Sequence, residues 1–298
     1  MKTKVSISFQ AEKIPGEADA VLIPTGCGPD VAEILAGTIY DIRDVSVYIK
    51  LDEGDERVAK VFALLEQYGV DVNTYTYTEY SEEDRQQARL LWVGPSSFDE
   101  QIYAGLSLGT EYDMTHACPN CGTGAKQTSP LYVAHKYLPK IRKHRAIRSM
   151  DGDILVDGGM VKKLKDAKVT GISFGDVRAR HENEKWSMVA RDQILIEHIM
   201  PPMRGELTEK DEQYLCKVCR RGGRMVTPLK PYREEDLVGM KDFNLTWEWF
   251  GEFCAENKAK YQLTKRSNPR ILVTPKVMNI FREAGVKTFN WTPVAIEE

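Results

Sequence analysis

No stretch of the chain approaches the roughly 20 uninterrupted apolar residues that cross a bilayer as a helix. The opening residues, MKTKVSISFQAEKIPGE, lack the apolar core of a secretory signal. A membrane-spanning or exported protein is therefore not expected, and the cytoplasm is the expected compartment. Phosphate-cradling glycine loops are also missing: TGCGP and DGG are short and lack the Lys-Ser/Thr of a P-loop. Histidine is scarce. His116, His135, His144, His181 and His198 are the whole complement, and none stands in a recognisable pattern with a nucleophile.

What is present describes a globular chain. With 298 residues, 42% apolar and 29% charged, fibrous, collagenous and wholly disordered classes are excluded, and there is length for two domains or one elaborate one. The net charge of -3 conceals an asymmetry. Residues 1–115 hold 9 Lys and Arg against 21 Asp and Glu, a balance of -12, so the remainder carries +9. Residues 116–150 contain Lys126, Lys136, Lys140, Arg142, Lys143, Arg145 and Arg148 and no acid. Their field suits an anionic partner, and it equally suits pairing with the acidic half of the same molecule.

Period and punctuation outline the elements. VSVYIKL at 45–51 alternates as a strand, and Val58, Val61, Phe62, Leu65 and Tyr68 then recur at helical steps up to Gly69. VDVNTYTYTEY at 70–80 has period two, a short helix follows from Ser81 to about Arg89, and LLWV at 90–93 is a further strand. LYVAHKYL is an apolar piece bracketed by Pro130 and Pro139. Residues 178–187 form a polar separator, and 188–200 a buried helix or strand pair closed by Pro201 and Pro202. Thr246 to Lys260 is expected to be helical, with Trp247, Phe250 and Cys254 on one face.

An ungapped internal similarity stands at an offset of 117 residues. ILVDGGMVKKLKDAKVTGISFGDV (154–177) and ILVTPKVMNIFREAGVKTFNWTPV (271–294) share 6 of 24 positions, where unrelated segments share about one or two. Each spells strand, helix, strand, and each follows a cysteine pair. Convergence of two ordinary strand-helix-strand units is the alternative to duplication.

Four of the six cysteines form the two pairs, Cys118-Pro-Asn-Cys121-Gly and Cys216-Lys-Val-Cys219. In a reducing compartment a disulfide framework is not expected. Thiolates two residues apart grip one metal through a tight turn, and Pro119 and Gly122 suit that turn. One pair is half a tetrahedral site and two pairs complete it, so Cys118, Cys121, Cys216 and Cys219 are the expected ligands of one structural Zn2+. The 94 residues from Cys121 to Cys216 exceed the insert of a compact zinc ribbon. A redox pair, an iron site and unliganded thiols remain as alternatives. His116 is expected at the surface or behind the ligands, and Cys27 and Cys254 as buried small hydrophobes. Asp151 and Asp153 beside the basic run invite a magnesium-dependent nuclease reading, and Tyr132 and Tyr137 a base-stacking one, although their segment reads first as core.

The expected fold class is α+β: duplicated strand-helix-strand modules joined by a CxxC/CxxC zinc-ribbon-like site, with an additional N-terminal α+β unit. The divisions are an acidic unit at 1–110, a first CxxC module at 111–180 and a second at 181–298.

At GTEYDMTHACPNCGTGAKQTSPLYV, with the later CKVC and the C-terminal ILVTPKVMNIFREAGVKTFNWTPV, the chain resembles bacterial double-CxxCG proteins, a family that includes immunity proteins guarding myxobacterial cells against delivered toxins. Cys118 to Gly122 matches the CxxCG motif in full. Cys216 and Cys219 match the second pair, but Arg220 stands where the glycine is expected, and glycines return at Gly222 and Gly223. The acidic N-terminal unit has no counterpart. The resemblance implies a zinc-stabilised, non-enzymatic protein that neutralises a cognate toxin by complementarity of shape and charge. The rival expectation is a zinc-ribbon nucleic-acid-binding protein or nuclease acting through the basic patch Lys136–Arg148. Catalysis is left undecided, with the closed thiolate set weighing against it.

Overall fold

A computed structural model describes residues 1–36, 45–97, 101–181, 185–207, 209–224, 229–251 and 267–297. The chain divides into two compact units, Met1–Glu82 and Glu83–Glu298. No helix among the described residues is long and apolar enough to cross a membrane.

The first unit contains β1 (Lys2–Gln10), α1 (Asp19–Thr25), β2 (Ala32–Ala36), β3 (Val45–Asp52), α2 (Glu56–Gln67) and β4 (Asn73–Glu79). Its antiparallel sheet has the order β2-β3-β1-β4, so each strand-helix-strand crossover skips one strand, the split βαβ arrangement. Alternation fixes the register: Val5, Ile7 and Phe9 of β1 lie opposite Leu51, Ile49 and Val47 of β3, and all six point into the core. Val61 and Leu65 of α2 close that core with Val21 and Leu22 of α1. Asp55 caps α2 by accepting the Arg57 N–H at 2.9 Å, which satisfies one of the helix's orphan donors. Full burial of each of these aliphatic side chains contributes about 1.5–3 kcal/mol.

The second unit starts within α3 (Glu82–Gln87), at Glu83, and continues with β5 (Leu91–Pro95), both elements where the sequence pattern predicts them. There follow β6 (Gln101–Ile102), β7 (Tyr112–Asp113), β8 (Lys126–Gln127), β9 (Leu131–Ala134), α4 (Leu138–Lys143), β10 (Ala146–Ser149), β11 (Ile154–Val156), α5 (Gly158–Asp166), β12 (Ile172–Arg180) and β13 (Trp186–Ile196). The remainder is α6 (Glu209–Tyr214), β14 (Tyr232–Arg233), β15 (Phe243–Phe250), β16 (Asn268–Val273), α7 (Pro275–Glu283), β17 (Phe289–Pro293) and β18 (Ile296–Glu297). A six-stranded sheet runs β6-β10-β11-β13-β12-β9 and a four-stranded one β15-β16-β5-β17; β7 with β8 and β14 with β18 form two small ribbons.

Parts of the two larger sheets correspond. In β10-β11-β13-β12 and in β15-β16-β5-β17, a hairpin, a helix and a return strand surround one inserted antiparallel strand. The inserted strand follows the first set in the chain (β13) and precedes the second by some distance (β5). Helices α5 and α7 have nine residues each at an offset of 117, and each ends on an alanine followed by a left-handed residue, Lys168 (φ 50) and Gly285 (φ 75). Ile154, Val156, Met160 and Leu164 share one core with Ile271, Val273, Val277 and Phe281.

Two local expectations need correcting. Thr246 to Phe250 belongs to β15 and is not helical: buried Asn244, Thr246 and Glu248 alternate with half-buried Leu245 and Trp247, Trp249 and Phe250 are buried after a shift in register, and the aromatic-rich run FNLTWEWF fits a pleated surface better than a helix. Cys254 and the rest of that expected helix lie outside the described residues. The polar stretch at 178–187 is no separator either, because β12 runs to Arg180 and β13 begins at Trp186, with residues 182–184 outside the described set.

Candidate metal centre

Each cysteine pair sits in a tight turn held by one equivalent backbone bond and by a closing bond that spans one residue more in the second turn. In the first, between β7 and β8, the Gly122 N–H donates to the Cys118 carbonyl at 2.9 Å; in the second, after α6, the Arg220 N–H donates to the Cys216 carbonyl at 2.8 Å. The Cys118 N–H closes the first loop onto the Thr123 carbonyl, and the Cys216 N–H closes the second onto that of Gly222, both at 2.8 Å. The residue after each second cysteine is left-handed, Gly122 at φ 74 and Arg220 at φ 55. The second turn therefore keeps the geometry of a CxxCG turn without its glycine.

The two turns meet sulfur to sulfur. Cys118 Sγ lies 3.7 Å from Cys216 Sγ, and Cys121 Sγ lies 3.5 Å from Cys219 Sγ. All four sulfurs fall within 4.8 Å of one another. These separations are far beyond a disulfide bond of about 2.05 Å, and the four thiols are free. They are close to the sulfur–sulfur edge of about 3.8 Å in a tetrahedron with metal–sulfur bonds of about 2.3 Å. The four cysteines are thus placed to hold a metal ion, and among the described residues they are the one such group of three or more Cys, His, Asp or Glu.

The surroundings act on the thiols in opposite directions. Cys121 and Cys216 are fully buried, Cys118 nearly so, and Cys219 is half-buried. Burial pushes the Cys118 and Cys121 thiols up. At Cys216 burial acts the same way, but the Asn120 amide and the N–H groups of Cys219 and Val218 outweigh it and bring the thiol down to about 7. The Asn120 Nδ2 donates to Cys216 Sγ at 3.3 Å across the junction, and the Arg221 N–H to Cys219 Sγ at 3.5 Å. Burying four sulfurs together is costly for thiolates alone, and a divalent cation supplies the missing opposite charge.

Gly222 fits the junction because it has no side chain. A Cβ there would stand 2.6 Å from Cys121 Sγ and 2.7 Å from Thr123 Oγ1. Sequence reasoning singled out the four cysteines that the structure brings together but missed the parts of Asn120, Thr123 and Gly222. Each acts within or across the junction, and no local pattern announces that.

The other candidates separate cleanly. His116 is exposed and outside the thiol cluster, and Cys27 is buried in the first unit's core. Asp153 is committed to the fold, with one oxygen accepting Gln193 Nε2 at 2.9 Å and the other Ser149 Oγ at 2.8 Å. The basic patch is shorter than expected. Arg148 is only 4% exposed, because its side chain shares a face of β10 with core residue Ala146; burial and the neighbouring Arg270 bring its pKa down to about 10. Arg145 pairs with Asp157 at 3.2 Å. Lys136, Arg142 and Lys143 remain exposed, and Tyr132 and Tyr137 are half-buried. Around the second turn, Arg220 pairs with Glu212 at 2.7 Å, while Arg221 donates to the Trp247 carbonyl and stacks 4.6 Å from its ring. No protein-family model matches the chain, and no curated protein matches it significantly in sequence.

Proposed function

We propose that this chain is a zinc-stabilised, non-enzymatic binding protein of the toxin-neutralising kind. The observation that carries the reading is the closed thiol tetrad Cys118, Cys121, Cys216 and Cys219. Four sulfur ligands complete a tetrahedral Zn2+ and leave no open position for water or substrate, so the ion's chemistry is to cross-link. Cadmium-like or ferrous ions fit the same donors, but soft thiolates and a closed shape favour zinc among the common divalent ions.

The two arms belong, in this reading, to duplicated modules. The offset of 117 residues that aligns the two sequence segments also aligns α5 with α7, their terminal alanines and their left-handed closing residues, with both helices in one core. The resemblance to double-CxxCG proteins rests on the first turn in full. At the second, Arg220 occupies the conformation that the motif's glycine would take, so the substitution departs from the motif in composition more than in shape.

The partner in this reading is a basic protein, met by the acidic half of the chain, whose balance of -12 over residues 1–115 complements a cationic cleft such as that of a nuclease toxin. Two measurements test the two parts separately. Elemental analysis of the purified protein should find one zinc per chain, and absence of any divalent metal overturns the zinc assignment. Co-expression with the product of the adjacent gene should yield a stable complex that protects cells from that product; no complex and no protection overturn the neutralising role.

A further inference from the structure

A surface of different chemistry lies on the flank of the six-stranded sheet. A single 3-10 turn, His135–Tyr137, leads directly into α4 and brings Lys136, Lys140 and Lys143 onto one side at steps of four and three. Arg142 extends the charge. Lys136, Arg142 and Lys143 are exposed and form no ion pair among the described residues. The C-terminal end of α4, ordinarily a partial negative charge, is covered by Arg191, whose Nη2 donates to the carbonyls of Ile141 (2.9 Å), His144 (3.2 Å) and Arg142 (3.3 Å). The charges of Lys136, Arg142 and Lys143 therefore face solvent, and the helix end adds no bare carbonyls against them, while Lys140 Nζ also reaches the Gln101 carbonyl at 3.5 Å.

Aromatic rings stand beside it. Tyr103, just after β6, is 48% exposed, and its ring centroid lies 5.7 Å from that of half-buried Tyr137. Lys136 Nζ sits 5.8 Å and 5.3 Å from the two centroids. A cationic stripe next to a tilted pair of tyrosines matches what single-stranded nucleic acid requires, namely phosphates spaced along a backbone and flat unpaired bases with free faces. An acidic peptide uses the charge but has nothing for the rings. A duplex keeps its bases stacked and out of their reach.

We propose that Tyr103, Lys136 and Tyr137, with Lys140, Arg142 and Lys143, form a binding surface for single-stranded nucleic acid. The cations hold the phosphates, and the tyrosine pair stacks an unpaired base. The stripe from Lys136 to Lys143 spans roughly 10 Å, enough for two or three phosphates. The surface is independent of the metal-centre reading and of the protein partner.

Fluorescence anisotropy of the full chain with a labelled oligothymidylate of about 20 nucleotides, from about 20 to 200 mM salt, tests it. Binding should weaken with a log–log salt slope of about -2, as expected for three phosphate contacts on a single strand. Lys143→Ala should reduce that slope by about 0.7. Tyr103→Ala should weaken binding about tenfold while Tyr103→Phe keeps it; because Tyr103 is half exposed, the fold is checked by unchanged circular dichroism. The proposal is overturned by absence of binding at the lowest salt, by a duplex of the same length binding as tightly as the single strand, or by Tyr103→Ala leaving the affinity unchanged.

Discussion

Gly222 and Arg220 lie two residues apart in the second cysteine turn, and their substitutions should act in opposite directions. A methyl group at position 222 would press on Cys121 Sγ and Thr123 Oγ1, both belonging to the facing turn, so the two turns would have to separate. Gly222→Ala should therefore cost about 1–3 kcal/mol by overpacking and weaken metal retention at the same time. At position 220 the strain is already present, since a non-glycine residue held at φ 55 pays about 1–2 kcal/mol for the left-handed conformation. Arg220→Gly removes that cost. It gives back about 0.5–1 kcal/mol in unfolded-chain entropy and forfeits an exposed ion pair with Glu212 that contributes little. Urea denaturation with parallel metal analysis should find Arg220→Gly neutral to about 1 kcal/mol more stable with its metal retained, and Gly222→Ala less stable. A Gly222→Ala protein as stable and as metal-rich as the wild type would contradict the close packing of the two turns.

Among the elements, the short helical turn Glu234–Leu237 is pinned by its own acid. Asp236 accepts Arg204 Nε at 2.8 Å and the Arg233 N–H at 2.9 Å, tying the turn to the segment before α6. The Arg204 guanidinium is the main reason that the Asp236 carboxyl is held down at about 2, below its ordinary 3.8. A carboxyl lowered on folding stabilises above its unfolded pKa, and that stability fades as pH falls from about 4 through 2. Denaturation midpoints of wild type and Asp236→Asn should accordingly differ most at pH 7, differ less at pH 3 and converge only toward pH 2. A gap that is the same at all three pH values would remove Asp236 from the acid response.

Elements of this kind were legible in the sequence wherever a period was clean. The alternating strand around Val47, Ile49 and Leu51, the helix carrying Val61 and Leu65, and the LLWV strand all form where their patterns indicate. The cysteine pairs were legible for a chemical reason, because two thiols at that spacing specify a turn. The strand Phe243–Phe250 was misread because Trp247 and Phe250 stand three apart, a spacing that serves a helix but also places residues on the two faces of a strand. Strand order was not legible at all. β5 inserts between β16 and β17, about 180 residues later, and that choice is made by the shared core rather than by anything local. Tyr103 meets Tyr137 for the same kind of reason, since the Ala134 N–H donates to the Tyr103 carbonyl at 3.3 Å and the Gly105 N–H to that of Tyr132 at 2.9 Å, which brings two distant segments together.

On the scale of the whole molecule, the thiol tetrad links sites 98 residues apart in sequence, Cys118 to Cys216 and Cys121 to Cys219. A cross-link of that span removes about 4–5 kcal/mol of entropy from the unfolded chain, by analogy with a disulfide closing a loop of about 100 residues. All four sulfurs belong to the second compact unit, whereas the first has its own core around Ile7, Ile49 and Val61. Metal removal should therefore be felt unevenly. Hydrogen exchange on chelator-treated protein should show protection falling around β7, β8 and β15, where the Trp249 N–H donates to the carbonyl of Arg221 beside Cys219. Amides shared among β1, β3 and β4 should keep their protection, because their partners lie within one sheet that the cysteines do not enter. Equal loss in both units would mean that the metal governs the entire chain as one cooperative body. No change in either would mean that the packing around the four sulfurs holds the two turns together unaided, and the cross-linking role of the ion would then have to be given up.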